Sequence, residues 1–220
     1  MTKEEENTLR EAALFDSFSE EETDRLCRIL GWGERRYERG GALFHAGDPI
    51  RACGMLLSGA VQVFLDDVNG NHIVMAHVEP GALFGEAMVC SGMAECPISA
   101  VALQDCTVLW LRGDLLTMPD FYGDPLCARF GVSFMRAMAE RTLRFNDRIQ
   151  VLSKRSIRDK LITFFSQKIR QEKSRELVLE MDRAALADYL GVERSALSRE
   201  LSRMRKDGLL DFRKNHFIVH

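Results

Sequence analysis

From Gly31 to Arg112 the helical spacing of hydrophobic positions is lost, and on either side of this block it holds. Short apolar or alternating runs, separated by Gly, Pro, Asp and Asn, predict strands over Trp32–Tyr37, Ala42–His45, Arg51–Ser58, Ala60–Asp66, His72–Val78, Ala82–Phe84, Ile98–Ala102 and Cys106–Leu111. Val68-Asn69-Gly70-Asn71 carries the Asn-Gly signal of a tight hairpin. About eight short strands in roughly 80 residues imply a small antiparallel sandwich or roll. Ahead of this block, Leu9, Ala13, Leu14 and Phe15, then Leu26, Ile29 and Leu30, mark short helices within residues 7–31. Ser19 with Glu22 three residues on forms a capping box for the second of them.

Beyond the strands the helical period returns. Asp114–Met118 is a short piece and Asp120–Pro125 a loop. One long helix then runs from Leu126 to about Leu152, with no proline and a single glycine, Gly131. Phe134, Met138, Arg141, Phe145, Arg148 and Leu152 line one of its faces, and Val132, Met135, Ala139, Thr142 and Ile149 line the next. This leaves one face for the strand-rich domain and one for a partner chain. Residues 156–171 form another helix, with Ile157, Leu161, Ile162, Phe165 and Ile169 on its buried side, and Leu177–Leu179 a strand.

The most informative stretch is Arg183–Lys206, RAALADYLGVERSALSRELSRMRK. Leu186, Ala187 and Leu190 fall on one face of a first helix, which Asp182 can cap. Gly191 can end it in the left-handed conformation. Leu197, Leu201 and Met204 then form the apolar face of a second helix. This is helix-turn-helix spacing. The second helix exposes Arg194, Ser195, Ser198, Arg199 and Arg203, residue types that contact guanine edges and phosphates. Leu209–Phe212 and His216–Val219 follow as a hairpin around Lys214-Asn215, which makes the motif winged and puts Lys214 at a tip suited to a phosphate contact.

A net charge of −3 argues against nucleic acid until its distribution is considered. Residues 151–220 carry +6 and residues 1–150 carry −9, a basic output segment on an acidic body. Hydrophobic residues make up 46% of the chain, enough for real cores. No apolar run approaches bilayer length. The acidic N-terminus has no signal-peptide core, so a cytoplasmic protein without membrane attachment is expected. Six cysteines occur with neither C-x-x-C nor zinc spacing, so no metal site is expected; Cys90 and Cys96 are the one close pair suited to a redox role.

Strand-rich roll, long helix and winged helix-turn-helix, in that order, resemble the CRP/FNR family of bacterial transcription regulators over essentially the whole chain. The resemblance is carried by FHAGD (Phe44–Asp48), GMLLSGAVQV (Gly54–Val63), PGALFGEA (Pro80–Ala87) and GVERSALSRELSRMRKDGLL (Gly191–Leu210). It implies an α+β fold. An N-terminal β-roll sensing domain of the cyclic-nucleotide-binding, jelly-roll type would fill residues 1–125, a dimerisation helix 126–153 and a winged DNA-binding domain 154–220. It further implies a homodimer on a palindromic double-stranded operator with half-sites roughly 34 Å apart, with RNA polymerase as a further partner. It implies no catalytic residues. Arg199 matches the family's base-reading arginine, but Ser195 stands where relatives place a glutamate, so the half-site sequence is left open.

The resemblance also locates an effector pocket, at Phe84, Gly85, Glu86, Met88, Val89, Cys96, Pro97, Phe145 and Asn146. Gly85-Glu86 match the ribose-binding pair of cyclic-nucleotide binders. The Arg-Ser that would hold the cyclic phosphate is replaced by Cys96-Pro97, and no arginine occurs between Gly85 and Arg112. A buried phosphodiester would lack its charge-assisted partner, so cAMP is not the expected effector, and the effector stays unidentified. Cys27 alone precedes the roll, too few thiols for an iron–sulfur cluster, and His72 and His77 read as surface strand residues rather than haem ligands. Two other functions remain. A cupin-like metalloenzyme needs inward-facing histidines, which the odd spacing of His72 and His77 opposes. A regulator that binds DNA without any effector is the other.

Overall fold

The computed structural model describes residues 1–66, 72–179 and 181–220, His72 by its backbone alone. The expected Asn-Gly turn at Val68–Asn71 lies outside the described residues. The chain forms two compact units, Met1–Ala137 and Met138–His220.

The first unit opens with α1 (Lys3–Glu11) and α2 (Glu20–Ile29). Both start in complete capping boxes, Thr2 with Glu5 and Ser19 with Glu22, so two of each helix's orphan amides are satisfied by side chains. The first helix begins earlier than its apolar residues suggest, because the acidic turn Glu4–Glu6 suits a helix N-terminus. Eight strands follow, β1 (Gly33–Tyr37), β2 (Ala42–Phe44), β3 (Ala52–Ser58), β4 (Val61–Asp66), β5 (His72–Val78), β6 (Leu83–Phe84), β7 (Ser99–Ala102) and β8 (Cys106–Arg112). They build two four-stranded antiparallel sheets, ordered β1-β8-β3-β6 and β2-β7-β4-β5. Leu56, Val61, Val63, Val78, Phe84, Ala100, Ala102 and Val108 fill the space between them. One short helix was not expected: α3 (Glu86–Cys90), five residues between β6 and β7. The segment read as a loop after Met118 is instead a 3-10 turn, Pro119–Gly123, with proline in its first turn where no amide hydrogen is needed.

Helix α4 (Pro125–Leu152) starts in this unit. Phe130 is buried among Phe15, Phe18 and Phe134, and Arg129 lies over the Phe18 ring while it pairs with Glu22 at 2.6 Å. The N-terminal helices are tied to the first sheet as well. Glu5 is 5% exposed, and its carboxylate accepts from the Thr2 amide at 2.6 Å, from the Ser58 hydroxyl at 3.0 Å and from Thr107. Burial alone would raise its pKa; the three hydrogen bonds outweigh it and bring it down to about 2. A depressed carboxylate stabilises the fold above its unfolded value of 4.5, and that stability is lost as pH falls towards 2. Glu5→Gln should therefore cost about 1–3 kcal/mol near neutral pH and flatten the acid limb of a pH-dependent urea titration.

The second unit holds the rest of α4 and α5 (Ile157–Glu172), β9 (Glu176–Val178), α6 (Arg183–Leu190), α7 (Arg194–Lys206), β10 (Leu210–Arg213) and β11 (His216–Val219). The three strands form one antiparallel sheet in the order β10-β11-β9. Its core is Leu161, Phe164 and Phe165 from α5, Leu186, Ala187 and Leu190 from α6, Leu197, Leu201 and Met204 from α7, and Leu210 and Phe217 from the hairpin. Val151 anchors the end of α4 in the same core, and Gln167 donates to the Asp147 carbonyl at 3.0 Å. Among the described residues no helix is long and apolar enough to cross a membrane.

Candidate nucleic-acid interface

Helices α6 and α7 meet at Gly191, whose φ of +60° and ψ of +50° close α6 in the left-handed cap; a Cβ there would also lie 3.3 Å from Leu152. Asp182 accepts from the Ala185 amide and caps the start of α6. With 100° of rotation per residue, burying Leu197, Leu201 and Met204 turns Ser195, Arg199, Ser202 and Lys206 to the opposite side of α7, with Ser198 and Arg203 beside them. All six are exposed, as is Arg194 nearer the buried edge. Ser202 and Lys206 were not in the sequence-derived set. Their signal was available, since they continue the i, i+4, i+7, i+11 stripe that begins at Ser195.

The start of α7 is held by its own side chains. Glu193 caps it by accepting from the Ser195 and Ala196 amides at 2.9 Å. The Ser195 hydroxyl also donates to Glu193 and accepts from Arg199 Nη1 at 3.2 Å. These bonds, with Arg199 close by, hold the Glu193 carboxyl below its usual value. A carboxylate thus stands one hydroxyl away from Arg199 although Ser195 occupies the family's glutamate position. Ser198 and Ser202 donate to the Arg194 and Ser198 carbonyls, so each turns only acceptor lone pairs outward.

Two further contacts fix the reading helix and the wing. Arg158 of α5 binds Glu200 at 2.7 Å and Asp207 at 2.6 Å, bracketing the second half of α7. Lys214 occupies the hairpin tip with φ +56°, a conformation that favours glycine. It is held there by Arg183, which donates to its carbonyl at 3.1 Å and lies 5.1 and 5.3 Å over the Phe212 and Phe217 rings. Asn215 donates to the Leu179 carbonyl at 2.7 Å. Arg194, Lys206, Arg213 and Lys214 carry no ion pair among the described residues, so their charge is available to an anion.

The residues expected around an effector lie in different settings. Phe84, Glu86, Met88, Val89 and Cys96 are buried, Gly85 is the left-handed N-cap of α3, and Pro97 is exposed. Phe84 packs in the sandwich core between Phe44 and Trp110. Phe145 and Asn146 belong to the second unit and are exposed, with Arg141 over the Phe145 ring. Among the thiols, Cys90 is exposed but raised by its partial burial and by the Glu86 carboxylate. Cys96 is buried, raised by burial, and donates to the Ile98 carbonyl at 3.0 Å. Reactive thiolates need depressed values, so this pair is poorly set for redox chemistry.

On α4, Val132, Met135, Leu143 and Ile149 are more than half exposed. Val132, Met135, Ala139, Thr142, Asn146 and Ile149 follow one another at steps of three and four, the spacing of a coiled-coil seam, with Asn146 as its polar member.

Residues 34–117 match the cyclic nucleotide-binding domain family, and residues 159–220 match the Crp-like helix-turn-helix domain family. The anaerobic regulatory protein of Pasteurella multocida is 26% identical over 93% of this chain and 74% of its own length. The fumarate and nitrate reduction regulatory protein of Escherichia coli is 27% identical over 92% of this chain and 80% of its own. Among solved structures, the N-terminal domain of a transcriptional regulator from Streptomyces coelicolor is 28% identical, with a TM-score of 0.50 over 64% of this chain and 95% of that domain. The c-di-GMP responsive global regulator of Xanthomonas campestris shares the fold at 17% identity, with a TM-score of 0.55 over 92% of this chain and 99% of that one.

Proposed function

We propose that this chain, which belongs to the CRP/FNR family of transcription regulators, reads a palindromic DNA site as a homodimer whose DNA affinity is set by an effector acting on the β-sandwich. The observation that carries the reading is the outward stripe Ser195–Arg199–Ser202–Lys206 on a helix whose other side is buried. Such a helix enters a major groove, where Arg199 can pair with guanine O6 and N7 while Lys206, Arg213 and Lys214 take phosphates. Residues 1–125 then serve as the sensing domain, 126–153 as the dimerisation helix and 154–220 as the DNA-binding domain. RNA polymerase is the partner such a regulator addresses, and the cytoplasm its place of work.

Dimerisation rests on the exposed seam of α4. An apolar stripe at steps of three and four is stable in water when a second copy covers it, and Asn146 in the stripe would fix the register of the pair at some cost in stability. Met135→Glu combined with Ile149→Glu should convert a dimer into a monomer by light scattering and abolish gel-shift binding to a palindromic operator, while each unit keeps its fold by circular dichroism. A double variant that stays dimeric would remove the seam from the proposal.

The effector works only through unequal affinity for the two DNA-binding states of the dimer. Cys96 and Pro97 stand where a cyclic phosphate would need Arg-Ser, and neither can supply that charge. An uncharged or weakly charged organic molecule beside Phe84, Met88 and Val89 suits these residues better.

A further inference from the structure

We propose that the open end of the β-sandwich is a second binding site, for a small organic anion with a flat apolar body. The cleft there encloses about 630 Å³, within the range of roughly 300–1,000 Å³ typical of small-molecule sites. Glu86 does not line it, although Cys96 of the expected effector set does.

The cleft follows from the strand register. Gly33, Arg35 and Tyr37 alternate onto one face of edge strand β1, opposite Trp110, Val108 and Cys106 of β8. Val108 is fully buried between the sheets, so this face is the inner one. Trp110 has a glycine opposite it on both neighbouring strands, Gly33 on β1 and Gly54 on β3. The two glycines are not equivalent. A Cβ at Gly54 would come within 2.4 Å of the Phe84 ring, so that side is filled. A Cβ at Gly33 would meet nothing within 4 Å, so the β1 side is open. Gly33, Ala52 and the Trp110 ring line the opening, with Phe44 on the opposite sheet 6.3 Å from Trp110.

The rim selects charge. Arg35, Arg51 and Arg112 reach it, against a single acid, Asp48. Asp48 is engaged in accepting from the His45 amide at 2.7 Å, and Arg112 is paired with Asp114 at 2.8 Å. Arg35 and Arg51 carry no ion pair among the described residues. Three arginines at one mouth stand out in a segment that carries −9 overall. Planar guanidiniums suit carboxylate, phosphate or sulfonate oxygens, and aromatic walls suit a flat body. Trp110 Nε1 donates to the Tyr37 hydroxyl at 3.0 Å, which leaves the phenol proton to be given to a ligand.

Titrating the full-length protein with 8-anilino-1-naphthalenesulfonate tests this. A saturable fluorescence rise with one site per chain is expected. Gly33→Leu, whose Cβ would meet nothing within 4 Å and whose side chain would occupy the cleft, and Arg35→Gln with Arg51→Gln, both at exposed positions, should each weaken binding at least about tenfold with the melting temperature unchanged. The neutral analogue N-phenyl-1-naphthylamine should bind correspondingly weakly. Unchanged binding in Gly33→Leu would place the dye elsewhere and overturn the site. Loss in Gly33→Leu alone, or equal binding of the neutral analogue, would overturn the anionic class. The DNA-binding reading is untouched by either result, because gel shifts measure it separately.

Discussion

Arg199→Ala should weaken binding to the cognate operator by about 1–3 kcal/mol, roughly five- to 150-fold, and leave binding to an unrelated duplex of the same length nearly unchanged. Arg199 sits at the middle of the outward stripe of α7 and is preset there by the Ser195 hydroxyl. A side chain that pairs with a base edge contributes to the difference between right and wrong sequences, whereas a phosphate contact contributes to both. Lys214→Ala is the natural comparison. It should lower affinity for both duplexes alike and reduce the slope of log affinity against log salt by about 0.9. Equal losses on the two duplexes for Arg199→Ala would reassign it to the backbone. Both residues are exposed, so neither change should move the melting temperature.

Phe165→Ala should destabilise the winged unit by about 3–5 kcal/mol. Phe165 is 2% exposed at the centre of that core, 5.0 Å from Phe217 of the wing and 5.4 Å from Phe164. Most single domains are stable by only about 5–15 kcal/mol, so much of the unit's stability rests on this ring. The two tryptophans make the loss separable. Trp32 and Trp110 both lie in Met1–Ala137, so their fluorescence follows that unit alone, while far-ultraviolet circular dichroism follows both. In urea, the dichroism of Phe165→Ala should acquire an early transition that tryptophan emission does not share. Coincident, equally shifted transitions would show that the two units unfold as one.

The elements that sequence made legible are those with local signals. The Ser19/Glu22 box, the Asp182 cap and the Gly191 break each act within four residues, and each is found where the spacing places it. The strands of the sandwich were legible from short apolar or alternating runs bounded by turn residues: β4 alternates buried and half-buried positions, while the near-continuous apolar runs of β3 and β8 are buried on both faces. The five-residue helix α3 was missed because it makes little more than one turn, too few residues for a helical period to repeat. Pro119–Gly123 was read as a loop because a 3-10 turn has no apolar stripe to announce it. The reading face of α7 was visible from the buried side, yet the Glu193–Ser195–Arg199 chain was not, since a glutamate before a helix is ordinarily just a charge near a dipole. Least legible was the cleft. It depends on Gly33 facing Trp110 across a register 77 residues apart, and on Phe84 covering one glycine and not the other.

The distribution of thiols gives the protein a ready chemical handle. Of six cysteines, four are buried, Cys27 is half-buried and pushed up to about 11, and Cys90 alone is exposed. A maleimide dye or spin label added at alkaline pH, which favours ionisation of the raised Cys90 thiol, should attach there first, once per chain, in the unmodified sequence. The label would sit at the end of α3, four residues from Glu86, with no engineered cysteine and no cysteine removed. Motion of that short helix can then be followed in solution as ligands and DNA are added, through a reporter whose position the native sequence already chose.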